Sequence, residues 1–473
     1  MAEILLSTSP ADPDHEIGRF EIADASAVDA AVSRARRAQP AWRDAGFETR
    51  AAVLRRFRDA AREASDELAV LIAREMGKAH WDARGEAALV PGKVDATLEA
   101  GMDLVAPMEA GDGARASFHP RGVLAVLGPF NFPAHLPNGH IVPALATGNS
   151  VVFKPSELTP AVGEWAVQQW RRAGLPEGVL EIVQGRAETG RNLALHPDVD
   201  GVLFTGSYAV GRALREATLD QPRKLLALEM GGNNAIVVCA DADLDRAAAE
   251  AALSIGATTG QRCSCAGRLF VEAGVADAFA EKLVAMLRDA KIGPPLDAGV
   301  FMGPLVSESA FDTVSRYRDL AVEAGGERLL SVEPGRPPPY IGAGLVRFDS
   351  LDQSHDYQRD EIFGPEASLY SFDDFDAAIA AVNDSEYGLV ASIFSADRSR
   401  YEYGVGRIRT GLLNWNRGTI GASGRLPFGG TGRSGNDRPA GITATIYCTV
   451  PQAHLETEAP FDPASLPPGL PRP

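Results

Sequence analysis

Residues 123–157 read VLAVLGPFNFPAHLPNGHIVPALATGNSVVFKPSE, and the reading of this stretch decides the fold. An unbroken apolar run at 123–127 stops at Gly128-Pro129 and opens into Phe130-Asn131-Phe132-Pro133; a second run at 150–153 stops at Lys154-Pro155-Ser156-Glu157. Short continuous apolar runs bounded by Gly or Pro are the pattern of strands buried on both faces. Three more follow at 179–183, 202–204 and 225–228, with helical stretches such as 162–172 and 210–217 between them. That rhythm predicts an α/β lobe with a doubly wound parallel sheet, its strands joined by right-handed helical crossovers. Such sheets bind ligands beyond the carboxyl ends of their strands, so the residues just after each run carry the functional weight. They are Pro129-Phe130-Asn131, Lys154 to Glu157, Thr205-Gly206-Ser207 and Glu229.

Upstream, a short extended start precedes a helix with Val28, Ala31, Val32, Ala35 and Ala38 on one face, behind the candidate caps Asp24 and Ser26. A single longer helix is predicted from about 49 to 76, with Gly77 as its stop. Downstream, a second α/β alternation runs from about 235 to 430, with helices near 276–287 and 312–324, and ends in the glycine-rich run from Pro427 to Gly435. The last twelve residues hold five prolines, so a loosely held tail or one wrapped on a partner is expected over 456–473.

The bulk numbers restrict the function. A chain of 473 residues exceeds what one core comfortably serves, so two or more lobes are expected. With 46 basic and 63 acidic residues the net charge is -17, which disfavours nucleic acid and anionic lipid as partners and favours work on a small molecule. No apolar run approaches the roughly 20 residues a membrane crossing needs, and no basic segment followed by an apolar one stands at the N-terminus; a cytoplasmic location is expected. Four cysteines, at 239, 263, 265 and 448, make a poor disulfide framework. Without a C-x-x-C pair or an H-E-x-x-H helix, no metal is expected.

Cys263 lies in Gly260-Gln261-Arg262-Cys263-Ser264-Cys265, a thiol among small and polar neighbours. Thiolate sulfur is nucleophilic enough to attack a carbonyl carbon, although a free thiol with a pKa near ~8.5 is only slightly ionised at neutral pH. Taken alone, such a cysteine fits buried packing better than catalysis. Its company favours catalysis. Gly206-Ser207-Tyr208-Ala209-Val210-Gly211 opens a predicted helix whose first N–H groups suit a pyrophosphate, although the run is not the G-x-G-x-x-G fingerprint.

Seven segments in order carry a resemblance over nearly the whole chain: Gly128-Pro129-Phe130-Asn131-Phe132-Pro133, Lys154-Pro155-Ser156-Glu157, Phe204-Thr205-Gly206-Ser207, Glu229-Met230-Gly231-Gly232, Gly260-Gln261-Arg262-Cys263, Glu361-Ile362-Phe363-Gly364-Pro365 and Pro427-Phe428-Gly429-Gly430. On them the chain resembles the aldehyde dehydrogenase superfamily. The resemblance implies an NAD-binding domain over 1–101 and 122–231, a catalytic domain over 232–441, and a two-segment β arm over 102–121 and 442–455 that joins copies into a homodimer or homotetramer. It implies that Cys263 adds to an aldehyde, that the Asn131 amide and the Cys263 N–H hold the oxyanion, and that Glu229 activates water against the thioester. It further implies that Lys154 and Glu157 grip the adenine-side ribose and that Phe130 and Ser156 also contact the cofactor. Gly206, Ser207 and Gly211 would face the pyrophosphate, and Glu361 and Phe363 the nicotinamide end. A glutamate at 157 would repel a 2′-phosphate, so NAD is expected over NADP.

The stretch 128–145 and Arg262 resemble the succinylglutamate semialdehyde dehydrogenase branch, which serves arginine catabolism. Asn414-Trp415-Asn416-Arg417, Gly421-Ala422-Ser423 and Ser434-Gly435-Asn436 point the same way. A substrate with several carboxylates calls for cations, and Arg262 and Arg417 are the candidates, with His135 beside the Asn131 loop. Each arginine fits a structural ion pair equally well. Gly418 and Gly424-Arg425-Leu426 depart from the branch pattern at the substrate mouth, which leaves a broad-range enzyme, another acidic-semialdehyde dehydrogenase or one releasing acyl coenzyme A as alternatives. A non-catalytic protein on the same fold is the remaining alternative, but neither the nucleophile, the base nor a ribose residue is missing.

Overall fold

The computed structural model describes residues 3–472; Met1 and Ala2, at the head of the expected first segment, and Pro473, at the end of the expected loose tail, lie outside it. The five apolar runs are the five strands of one fully parallel sheet, in the order Leu180–Ile182, Ser150–Lys154, Val123–Leu127, Gly201–Thr205, Leu225–Glu229. Successive side chains of Val123–Leu127 point to opposite faces. Leu124 and Val126 pack under helices Phe47–Glu63, His80–Ala96, His135–Ala146 and Pro160–Arg172, while Val123, Ala125 and Leu127 pack under Ala25–Asp44 and Ala187–Leu195. The chain order runs outward from Val123–Leu127 on both sides, which opens a crevice at the carboxyl edge between it and Gly201–Thr205.

A second sheet has seven strands in the order Glu327–Ser331, Gly344–Arg347, Glu366–Phe372, Ala266–Glu272, Asn234–Val238, Val390–Phe394, Leu412–Trp415, all parallel except the first pair. Helices Leu244–Gly256 and Ala276–Arg288 cover one face; Glu308–Glu323 and Phe375–Asn383 cover the other. A third sheet, antiparallel, joins Met108–Gly111, Ala114–Pro120 and Thr449–Leu455. Within 442–455 only the second half is strand. Ala444–Tyr447 is a helical turn with Ala444, Thr445 and Tyr447 buried against helix His135–Ala146. The tail 456–472 lies on the surface, with one short turn at Pro463–Ser465.

Two local expectations change. The predicted helix over 49–76 is two helices, Phe47–Glu63 and Ser65–Met76, broken at Ala64 so that each lays its own apolar face on helix His80–Ala96. Gly77 does end the second, in the left-handed conformation with φ 82°. At the first helix Asp24 alone caps, its carboxylate accepting from the Ala27 N–H at 2.8 Å, and Ser26 lies inside the helix.

Candidate active site

Three segments from the two parallel sheets meet at one place. Asn131 follows the strand Val123–Leu127, Glu229 ends the strand Leu225–Glu229, and Cys263 lies on the loop that feeds the strand Ala266–Glu272. The Cys263 loop leaves helix Leu244–Gly256 through three consecutive left-handed residues, Thr258 (φ 54°), Thr259 (φ 54°) and Gly260 (φ 75°). A Cβ on Gly260 would stand 2.0 Å from the Gly364 carbonyl carbon, so only glycine lets this loop lie against Gly364-Pro365. Asn234 anchors the loop from the other side: its amide donates to the carbonyls of Cys263 (2.7 Å) and Cys265 (2.8 Å) and its oxygen accepts from the Val390 N–H (3.0 Å). Cys263 is half-buried and its backbone N–H has no partner among the described residues. Burial pushes its thiol well above the ordinary range, and the nearby Glu361 and Glu229 carboxylates push it further.

Asn131 is buried, with one amide hydrogen on the Gln261 carbonyl (2.9 Å) and the second unassigned. What fixes it is a network the sequence did not announce. Lys78 donates to the Asn131 carbonyl (2.6 Å) and to Glu86 Oε2 (2.6 Å), both side chains being fully buried, and its ammonium stands 3.7 Å over the Phe132 ring. The other oxygen of Glu86 accepts from the N–H groups of Ala134 (3.0 Å) and His135 (3.1 Å), where the next helix starts. One turn earlier on the same helix, Asp82 accepts from Arg262 Nη2 and the Thr258 hydroxyl, each at 2.6 Å. Burial alone would raise Asp82, but the charges of Lys78 and Arg262 and the hydrogen bonds from Thr258 and Arg262 hold it below its usual value. Helix His80–Ala96 therefore grips the Asn131 loop with Glu86 and the Cys263 loop with Asp82. The available signal was their four-residue spacing, which puts both acids on one helical face, but a solvated acidic face looks the same in sequence.

Glu229 is buried; Oε1 accepts from the Ala440 N–H (3.2 Å) and Oε2 has no partner among the described residues. Burial raises its carboxyl well above the usual range, and only the Ala440 N–H opposes this. Thr205 is its register partner in the sheet. The Thr205 hydroxyl lies 3.3 Å from Nε2 of His140, whose Nδ1 is 2.7 Å from the Tyr447 hydroxyl, so His140 is buried behind the strand end that carries Glu229.

At the carboxyl edge, Lys154 donates to the Pro155 carbonyl (2.9 Å) and reaches Glu157 at 3.4 Å, while the Ser156 hydroxyl accepts from the Leu158 N–H (3.2 Å). Ser207 caps helix Tyr208–Ala217, accepting from the Val210 N–H (3.4 Å). Gly206 and Gly211 are fixed by close packing: a Cβ would come within 2.4 Å of the Phe204 ring and of the Met230 sulfur, respectively. Glu361 accepts from the Gly232 N–H (2.9 Å) and burial pushes it up to about 8. Phe363, at φ 58°, sets its ring edge-on to Phe130 with centroids 5.8 Å apart.

The expected substrate cations divide. Arg262 is not a free cation but the partner of Asp82, with Nε also on the Thr258 hydroxyl (2.8 Å), so the expected substrate role gives way to a scaffold pair whose cause is the buried carboxylate facing it. Arg417 is exposed and makes no ion pair among the described residues. His135 lies edge-on to Phe132, with its Nδ1 buried and unpartnered. All four cysteines are free, and among the described residues no group of three or more metal-binding side chains occurs.

Residues 3–453 match the model of the aldehyde dehydrogenase family. The N-succinylglutamate 5-semialdehyde dehydrogenase of Chromobacterium violaceum is 43% identical over 99% of this chain and 96% of its own length. Among solved structures, the NAD-dependent aldehyde dehydrogenase of Sinorhizobium meliloti superposes with a TM-score of 0.92 at 30% identity, covering 97% of this chain and 93% of that one. An E. coli NADP dependent enzyme superposes with a TM-score of 0.90 at 33% identity over 95% and 94% of the two chains. Full-length agreement in sequence and fold leads to one conclusion: this chain belongs to the aldehyde dehydrogenase family and is an oxidoreductase acting on aldehydes.

Proposed function

We propose that this enzyme oxidises N-succinylglutamate 5-semialdehyde to the corresponding carboxylate with NAD, through a covalent adduct on Cys263. The observation that supports the chemistry is that the Asn131 amide reaches the Gln261 carbonyl, two residues before Cys263, while the Glu229 carboxylate lies near enough to raise the Cys263 thiol. The name of the relative at 43% identity supports the substrate. The Cys263 thiol gives its proton to solvent, the sulfur adds to the aldehyde carbon, and the free hydrogen of the Asn131 amide and the unpaired Cys263 N–H hold the resulting alkoxide. The residues present fit a dinucleotide: the N-terminus of helix Tyr208–Ala217, capped by Ser207, would take the pyrophosphate, Lys154 and Glu157 would hold the adenine-side ribose, and Glu361 and Phe363 the nicotinamide end. Bound there, NAD supplies the hydride acceptor that turns the adduct into a thioester. Glu229, its pKa raised by burial, then takes a proton from water, and the hydroxide attacks the thioester, breaking the C–S bond to release the carboxylate while its remaining proton passes to the Cys263 sulfur.

Glu157 beside the ribose position favours NAD over NADP by repulsion of a 2′-phosphate. The antiparallel sheet at 108–120 and 449–455, with Met108, Val450 and Leu455 exposed, is proposed as the arm that pairs copies into a homodimer or homotetramer. The test compares kcat/KM for N-succinylglutamate 5-semialdehyde with that for simple aliphatic aldehydes, with NAD or NADP and with or without coenzyme A. The proposal expects the semialdehyde with NAD to lead by orders of magnitude and coenzyme A to have no effect; aliphatic aldehydes leading would refute the substrate.

A further inference from the structure

Helices His80–Ala96 and His135–Ala146 face each other across a seam with an unusual concentration of unmet polar groups. Lys93 is buried to 5% exposure, yet its ammonium, with three donors, makes one hydrogen bond, to the Gly441 carbonyl (2.6 Å), and no ion pair among the described residues. On the neighbouring helix His135 Nδ1 is buried without a partner, as is Asn138 Oδ1 one turn beyond it, and Thr97 Oγ1, one turn beyond Lys93, is likewise unmet. Folded proteins leave only a few such groups unmet, and three unpartnered atoms beside a buried ammonium with a single hydrogen bond, all on two packed helical segments, point to a bound species. Lysine in particular is almost never buried without a carboxylate. Burial pushes Lys93 down to about 8, and burial together with the charges of Lys93 and Lys78 pushes His135 down to about 4.

The seam touches the reaction centre on both sides. Gly441, which holds Lys93, follows Ala440, whose N–H holds Glu229. His135 packs on Phe132, next to Asn131. Gly441 also packs against the carbonyl of Leu426, in the exposed loop 421–426 at the mouth. We propose that Lys93 and His135 form a subsite that takes a carboxylate of the substrate, a short alkyl chain away from the aldehyde carbon on Cys263. This assigns specificity to two residues outside the reacting triad and rests on the acidic-semialdehyde reading above. The neutral imidazole offers one N–H, and Lys93 offers the charge-assisted bonds that distinguish a carboxylate from an uncharged chain.

The experiment measures kcat/KM for N-succinylglutamate 5-semialdehyde and for pentanal in the wild type, Lys93→Met and His135→Leu, with the inhibition constant of N-succinylglutamate in each. Methionine keeps the length of the lysine stem and removes the charge. In Lys93→Met the preference for the semialdehyde over pentanal is expected to fall by about 10- to 150-fold, the loss of a hydrogen bond to a charged group, and product inhibition to weaken in parallel. His135→Leu is expected to shift both in the same direction by a smaller factor and serves as the second reading should the first variant fold poorly. A preference that survives in both variants overturns the subsite while leaving the substrate reading intact; a wild type with no preference sinks the substrate reading and the subsite with it.

Discussion

Replacing Asn131 by alanine separates oxyanion binding from scaffold in a way the geometry makes quantitative. The side chain has two amide hydrogens; one is on the Gln261 carbonyl at 2.9 Å and the other is free for the alkoxide. Loss of one preorganised donor of this kind costs about 2.7–4 kcal/mol in the transition state, or roughly 100- to 1,000-fold in the rate of adduct formation and oxidation. The Lys78 bond is to the Asn131 backbone carbonyl, so the loop keeps its anchor in the variant. The Gln261 carbonyl, in a residue only 1% exposed, loses its donor, a stability penalty of about 1–3 kcal/mol. Rapid-mixing measurement of the NADH burst, with NAD binding by fluorescence quenching and a denaturant melt, resolves the two effects. The expected result is a burst slowed by two to three orders of magnitude with NAD affinity retained and stability modestly reduced. A burst rate within about threefold of the wild type would refute Asn131 as an oxyanion donor.

Lys78→Met leaves Glu86 buried and unpaired, so denaturant unfolding should show a loss of about 3–5 kcal/mol, part of it recovered in the double variant Lys78→Met with Glu86→Gln; equal stability of single and double variants would contradict the buried pair. Because burial and the Glu361 and Glu229 carboxylates raise the Cys263 thiol, alkylation by iodoacetamide should accelerate with pH to a midpoint above the ordinary thiol value of ~8.5, and NAD, whose ring is cationic, should move that midpoint down. A midpoint at or below the ordinary value without NAD would count against the description of the thiol.

The parallel strands were legible because both faces are buried, which leaves apolar runs in the sequence, and the carboxyl-edge rule then marked Asn131, Lys154 and Glu229 without further help. Helix His135–Ala146 was not legible, since Pro137 and Pro143 argue against a helix and only its burial between the sheet and its neighbours overrides them. Nor was the positioning network. Lys78 meets the Asn131 carbonyl across 53 residues of chain, and Arg262 meets Asp82 across 180, separations at which local patterns carry no information. For the same reason a substrate cation and a structural ion pair stay equally open for Arg262 until the facing Asp82 carboxylate is seen. Lys93 reads as one more surface lysine, because nothing local announces that the loop at 426 and the strand at 440–441 close over it.

The claim on which the chemistry rests is that an aldehyde becomes a thioester on Cys263 and that Glu229 is needed to release it. Glu229→Gln mixed with aldehyde and NAD, followed by stopped-flow absorbance and mass spectrometry of the digested protein, addresses this directly. The account predicts a burst of NADH equal to the active sites, then a stall, with the acyl mass on the peptide carrying Cys263. Continued turnover at the wild-type rate, or a peptide bearing unmodified Cys263 at the end of the burst, would contradict it.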